Sequence, residues 1–353
     1  MTVRVGIIGT GFARRVQLPA LRLVPGVRVT AIASGRRANA ETVAAEFGIR
    51  RVCGDGVELA AAPDVDLVIV SSTPATHARY AIAALEAGKH VLCEKPMALD
   101  AAEAFTMVEV ARHRPGLARL DHELRYEPNR RRMRELIQAG AIGAVQHIEL
   151  ALKPYLRGDG RPQTSAAPWN WWFDAGQGGG LLGAVGSHLI DLCRFWTGSE
   201  VCDVGGGVAT FVRERDDEHG ARRAVTADDF ASFVLYLTGG AIATMTLSAV
   251  AHHGPGHFGQ VTGSHGTIVL TGETKLELAR SGEPLQDVSV PDELWEQVPV
   301  NNMWARSFVR LMRDFVGVLE GRPAKGSFAT FDDGLAIQRV MDAVRAGARV
   351  GLD

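Results

Sequence analysis

Apolar and polar positions follow two different rhythms along this chain. In the first third, short apolar runs at residues 3–8, 27–33, 66–71, 90–93 and 117–120 read as buried parallel strands. Between them, residues 38–47, 75–87 and 101–114 carry helical patterning, and Gly88 is placed to end the second helix as a left-handed cap. Strands alternating with helices predict a doubly wound parallel sheet with helices on both faces. In such sheets ligands bind at the carboxyl ends of the strands.

Beyond residue 120 the rhythm changes. A polar link over 121–128 leads into a helix predicted at 129–139. Strand-like stretches follow at 145–152, 208–213, 230–237, 241–250 and 267–270, joined by turns such as Gly239-Gly240. With no helices between most of them, they predict a large, mainly antiparallel open sheet. The boundary is placed at 122/123, giving a parallel-sheet domain at 1–122 and a second domain, built on the antiparallel sheet, at 123–353. An uncovered apolar sheet face is rare on monomers, so a homodimer or homotetramer through this sheet is expected. The charged stretch 213–223 reads as a solvated loop.

Length and composition narrow the classes. A chain of 353 residues predicts two domains, and 46% hydrophobic with 22% charged residues excludes a disordered chain. Lys+Arg total 38 against 40 Asp+Glu, so no basic excess serves nucleic-acid binding. The cysteines Cys53, Cys93, Cys193 and Cys202 show no C-x-x-C spacing, so neither a zinc site nor a redox dithiol is expected. Apolar runs stop short of a membrane span and no leader pattern precedes the first strand; the expected compartment is the cytoplasm.

Candidate chemistry sits at the strand ends. Gly9-Thr10-Gly11-Phe12-Ala13-Arg14 is a strand–turn–helix in which Gly9 permits the turn and Gly11 lets backbone approach a pyrophosphate. Arg14 stands where the dinucleotide fingerprint has a small residue. At the second strand end, Ser34-Gly35-Arg36-Arg37 replaces the carboxylate that holds the ribose in NAD-binding units. Two guanidiniums there suit a 2′-phosphate, which favours NADP with NAD possible; the other reading is two solvated arginines. In Glu94-Lys95-Pro96, Lys95 is either a group that hydrogen-bonds a reacting oxygen or a loop lysine paired with Glu94. Trp169, Trp171 and Trp172 crowd one loop, as a pocket wall or as packing. His188 and Asp191 share a helical face after Gly178-Gly179-Gly180. His252, His253 and His257 read as a surface loop without metal.

Three blocks together resemble the Gfo/Idh/MocA oxidoreductases. They are Gly9-Thr10-Gly11-Phe12, Ser72-Thr73-Pro74 with His77, and the long run from Ala87 to Pro96 ending in Glu94-Lys95-Pro96. The resemblance runs to the helix beginning Phe331-Asp332-Asp333-Gly334. It implies a nicotinamide-dependent oxidoreductase with Lys95 and His188 in catalysis. It places Thr10, Phe12, Ala13, Ser72, Thr73, Pro74, His77, Glu94 and Arg125 with the turn and Ser34–Arg37 at the cofactor. Tyr126, Trp169, Trp172 and His188 are expected at the substrate, a sugar, cyclitol or related secondary alcohol or ketone. The family's second catalytic element has Asp four residues before its histidine, where this chain has Ala184. Two other classes on this fold stand as alternatives: a lyase or glycosidase using a retained cofactor, and a non-catalytic NADP-binding sensor.

Overall fold

The computed structural model describes residues 2–153, 167–298, 302–326 and 328–347. The chain divides into two compact units. One comprises residues 1–127 and 292–338; the other comprises 128–291 and 339–353. The sequence reading placed a single cut at 122/123 and contained no return of 292–338 to the first unit.

The first unit is built on β1 (Val3–Ile8), α1 (Leu18–Leu21), β2 (Val27–Ala33), α2 (Arg37–Phe47), β3 (Arg51–Val52), α3 (Gly56–Ala60), β4 (Leu67–Val70), α4 (His77–Glu86), β5 (His90–Cys93), α5 (Ala101–Arg112) and β6 (Ala118–Leu120). Its six-stranded sheet has the order β3-β2-β1-β4-β5-β6, parallel throughout. The order reverses between β1 and β4, which opens a crevice at their carboxyl ends. Asp55 caps α3 by accepting from the Val57 and Glu58 N–H groups, and Asp100 caps α5 through Ala102 and Glu103. A left-handed Gly48 ends α2.

The second unit contains α6 (Pro128–Gln138), β7 (Val145–Lys153), α7 (Ser187–Thr197), β8 (Val201–Ala209), β9 (Glu214–Asp216), β10 (Arg222–Ala224), β11 (Phe230–Leu237), β12 (Ile242–Ser248), β13 (Gly256–Gly263), β14 (Gly266–Thr271), β15 (Lys275–Arg280) and β16 (Gln286–Asp287). Eight strands form one sheet in the order β16-β15-β14-β13-β7-β12-β11-β8. Only the β7–β12 pairing is parallel. On β11, Ala231, Phe233, Leu235 and Leu237 are buried, while Phe230, Ser232, Val234 and Tyr236 take the other face. That outer face is mixed: Tyr236 and Ile242 lie beside Thr244, Glu149 and Asp203 rather than forming the purely apolar surface expected.

After the second unit's sheet, α8 (Met303–Leu319) belongs to the first unit and is capped by Asn302, whose side chain accepts from Ala305 N–H. Its residues Phe308, Leu311, Met312 and Phe315 share one buried core with Val5, Ile7 and Leu92. The last helix is α9 (Phe331–Ala346).

Several boundaries differ from the sequence reading. The strand expected at 208–213 is β8, which runs from Val201 to Ala209 and pairs with β11 across Gly205-Gly206-Gly207. Those glycines hide a strand because they supply no apolar alternation. The stretch 213–223 is no plain loop: β9 and β10 form an antiparallel hairpin with Arg222 paired to Glu214 and Asp216. His257 lies on β13, between β7 and β14, not on a surface loop; His252 and His253 are exposed.

Candidate active site

The glycine turn joins the ends of three strands. Gly9 has φ +112°, and a Cβ there would sit 2.1 Å from the Ser71 carbonyl oxygen. Its N–H donates to Ala33 O at 2.8 Å. Sterics and backbone both demand glycine. Gly11 is a different case. It begins a helical stretch ending at Leu21, and a Cβ there would meet nothing within 4 Å. Nothing in the protein requires Gly11, so the open space above a helix N-terminus fits a ligand phosphate. Ala13, fully buried, supplies the close helix–sheet packing, and a π-helical turn over Ala13–Gln17 carries Arg14 outward to Glu46 at 2.7 Å. That shift explains how arginine is accepted at the fingerprint's third position.

The two glycines therefore separate by experiment. Gly9→Ala is expected to cost about 2–3 kcal/mol of stability through strain and overlap. Gly11→Ala should leave stability within about 0.5 kcal/mol while weakening dinucleotide binding tenfold or more. Thermal melts and a fluorescence titration read the two effects; equal behaviour of the two variants would remove the phosphate role of Gly11.

At the end of β2, the Ser34 hydroxyl lies 3.3 Å from Thr10 Oγ1, tying the second strand end to the turn. Gly35, Arg36 and Arg37 are exposed. Arg36 is the residue preceding α2, in extended conformation, and Arg37 pairs with Glu41 at 2.8 Å. An exposed pair of this kind contributes little and yields readily to a stronger anion.

Two loops meet at the ends of β4 and β5. The Ser72 hydroxyl accepts from Thr76 Oγ1 at 2.7 Å, Thr73 is half-buried, and Pro74 is buried. His77 begins α4, and its ring lies between two carbonyls, Nδ1 at 2.9 Å from Pro96 O and Nε2 at 3.1 Å from Ser72 O. The imidazole thus joins the Ser72–Pro74 loop to the Glu94–Pro96 loop. Burial pushes its pKa down to about 4, against the partly compensating carbonyls. The unfolded chain takes up this proton near pH 6.5, so stability present above that value is lost as pH falls through the folded value. His77→Gln is expected to flatten the fall in thermal midpoint between about pH 6.5 and 4. An unchanged acid profile would assign that proton uptake elsewhere.

Lys95 is half-buried; its N–H donates to Glu94 Oε2 at 3.2 Å, and its ammonium lies 5.9 Å from the Trp304 ring centroid. The Lys95–Pro96 peptide is cis. Glu94 is buried and accepts from Gln17 Nε2 at 2.8 Å, so its carboxylate faces inward. Arg125 is also buried; it donates to Phe328 O at 3.1 Å and lies 3.5 Å from Asp333. Tyr126 is 2% exposed and its hydroxyl donates to Asp314 Oδ2 at 2.9 Å. A protein carboxylate thus receives the hydroxyl proton. Sequence reasoning missed Gln17, Asp121 and Trp304, which join this region only through packing between distant segments.

In the second unit, the tryptophan loop is held by the β9–β10 hairpin. Trp169 N–H donates to Asp216 O at 2.8 Å and its indole N–H to Ala224 O at 2.9 Å. Trp171 is exposed and Trp172 half-buried, their rings 6.0 Å apart. Helical structure begins at Leu181, where Asp228 caps the chain by accepting from Leu182 N–H at 2.7 Å. A π-helical turn, Leu182–Gly186, precedes α7, on which His188 and Asp191 are buried. Ala184 is half-buried. Among the described residues, no cluster of three potential ligands forms a metal site, and no helix is long and apolar enough to cross a membrane.

A parallel sheet with this glycine turn at the end of β1, and a lysine past the end of β5, defines a nicotinamide-dinucleotide-dependent oxidoreductase. The chain belongs to the Gfo/Idh/MocA family: residues 3–122 match its oxidoreductase, NAD-binding Rossmann-fold model and 130–269 its C-terminal domain. It is 33% identical over 369 residues to glucose-fructose oxidoreductase domain-containing protein 2 of Xenopus laevis, covering 98% of this chain and 92% of that protein. An uncharacterized oxidoreductase of Synechocystis is 31% identical over 82% of this chain and 79% of that protein. Among solved structures, levoglucosan dehydrogenase in complex with NADH and L-sorbose superposes with a TM-score of 0.85 at 23% identity, covering 97% of this chain and 96% of that one, a likeness of fold. An oxidoreductase domain protein from Kribbella flavida gives 0.82 at 27% identity over 97% of this chain and 96% of that one.

Proposed function

We propose that this protein carries out reversible hydride transfer between NADP(H) and a secondary alcohol or ketone of a sugar, cyclitol or related small molecule. The observation that carries the reading is the open space above Gly11 in the same unit that sets Lys95 at a strand end. The dinucleotide would be held by Gly9–Ala13 at its phosphates and by Ser34–Arg37 at its adenosine end, with Ser72–Pro74 and Lys95 toward the nicotinamide. When bound it supplies the hydride acceptor or donor. Lys95 polarises the substrate oxygen, and His188 is assigned the proton transfer, without the carboxylate that Ala184 replaces. Trp172 is assigned to the substrate wall; Trp169 acts through its hold on the hairpin. A homodimer or homotetramer through the outer face of the eight-stranded sheet completes the proposal, and light scattering at micromolar concentration tests it.

The experiment is a panel of sugars and cyclitols, levoglucosan and L-sorbose among them, incubated with the protein and NADP⁺ or NADPH while the reduced nicotinamide is followed. Net oxidation or reduction of a panel member supports the reading. Bond cleavage with no net change in cofactor would assign the lyase or glycosidase class instead, and binding without turnover the sensor class. The cofactor itself is a separate test. NADPH is expected to bind more tightly than NADH by about 1–3 kcal/mol, the range of charge-assisted hydrogen bonds. Replacing both Arg36 and Arg37 by Ala should erase most of that difference, and equal dissociation constants in the unmodified protein would remove the NADP assignment.

A further inference from the structure

The carboxyl ends of β5 and β6 bury more acid than the chemistry above uses. Glu94 is 6% exposed, and Asp121 and Glu123 are fully buried. Their backbones are fixed, Glu94 N–H on Val70 O at 2.8 Å and Asp121 N–H on Cys93 O at 2.7 Å. One amide group spans the first two side chains: Gln17 Nε2 donates to Glu94 Oε1 at 2.8 Å and to Asp121 Oδ2 at 3.3 Å. Gln17 is itself fully buried, and its Oε1 and Asp121 Oδ1 have no hydrogen-bond partner among the described residues.

Two carboxylates on one neutral donor in a dry interior repel each other at close range, and leaving both charged is costly. The surrounding groups decide which one keeps its charge. Glu94 receives the Lys95 peptide N–H, and the Lys95 ammonium favours its charged form against burial. For Asp121, burial and the negative charges of Glu94 and Glu123 outweigh Lys95, the smallest of the influences on it. On β5 the Cys93 thiol is pushed up by burial and by both acids and stays neutral, while burial pushes the His90 imidazole, at the other end of the strand, down. His122 lies in the same segment after β6.

We propose that Asp121 and Glu94 hold a single proton between them, carried by Asp121, and that this pair, bridged by Gln17, is the positioning device for the Lys95 peptide. Burial raises both acids above the usual carboxylate range, Asp121 the further, in keeping with that assignment. The pair then carries one negative charge in place of two, and the Glu94 carboxylate is left to accept the Lys95 N–H. Asp121 and Gln17 act through Glu94 and Lys95. The role in turnover rests on the assignment of Lys95 above; the proton does not.

The test uses the full chain. An infrared difference spectrum at neutral pH, unmodified protein minus Asp121→Asn, is expected to show the C=O stretch of a protonated carboxylic acid. Glu94→Gln, which keeps an acceptor for Lys95, gives a second comparison if Asp121→Asn folds poorly. Absence of that band in both differences overturns the proposal. The folded state holds a proton that the unfolded chain releases at lower pH, so stability present in acid is lost as pH rises toward the folded value. That loss approaches tenfold in the unfolding equilibrium per pH unit, and Asp121→Asn should remove it. In the hydride-transfer assay, the unmodified protein should change kcat in alkali as the pair loses its proton, and Asp121→Asn should not. A uniform drop in kcat at every pH would overturn the positioning role. If the infrared band is present and Lys95→Ala turns over normally, the shared proton stands and the assignment of Lys95 falls.

Discussion

Lys95→Ala is expected to lower kcat by about 10²-fold or more, the loss that follows removal of a proton donor or electrostatic stabiliser from a reacting oxygen. The effect should be catalytic rather than structural. Lys95 is half-buried, and its ammonium lies at the outer limit of a cation–π contact with Trp304, worth at most about 1 kcal/mol. Binding of the nicotinamide cofactor should weaken only modestly, because the glycine turn and the end of β2 lie on other strands of the sheet. Single-turnover rates at saturating substrate, with a cofactor titration beside them, separate the two quantities. Near-normal turnover would make Lys95 a loop charge.

His188→Asn is expected to suppress turnover by about 10²-fold or more, the usual contribution of a general acid–base. This histidine is fully buried on α7, so a packing role competes with a chemical one. Asparagine keeps much of the shape and hydrogen-bonding capacity while removing the imidazole's capacity to exchange a proton. Loss of activity with the thermal midpoint retained supports proton transfer; a midpoint that falls in step with activity would make His188 a core residue. Ala184→Asp is expected not to create inositol or glucose dehydrogenase activity, since a carboxylate one turn before His188 leaves the tryptophan loop unchanged.

The parallel half of the fold was legible because every buried strand there is a short apolar run between helical periods; β5 was read at the bounds it has. In the antiparallel half β11 was read at the bounds it has, while β15 was missed although its sides alternate. β8 carries three glycines, and β13 opens Gly256-His257-Phe258-Gly259, so neither shows a period of two although both pair along their length. The same contrast holds at the site. Gly9 and Lys95 belong to local motifs whose spacing states their geometry. Gln17 reaches Glu94 across 77 residues and Asp121 across 104, and no local pattern encodes such a meeting. The Tyr126 hydroxyl likewise meets Asp314 across 188 residues, a pairing with no local signal.

The return of residues 292–338 sets the order in which this molecule can be made. Phe308, Leu311, Met312 and Phe315 complete the core that holds Val5 and Ile7, so the nascent amino-terminal sheet leaves the ribosome lacking one wall. That wall is translated only after all eight strands of the other sheet. The dinucleotide-binding half is thus first in sequence and last to be sealed. A fragment ending near residue 127 would carry the motif while presenting to water the apolar surface that α8 covers.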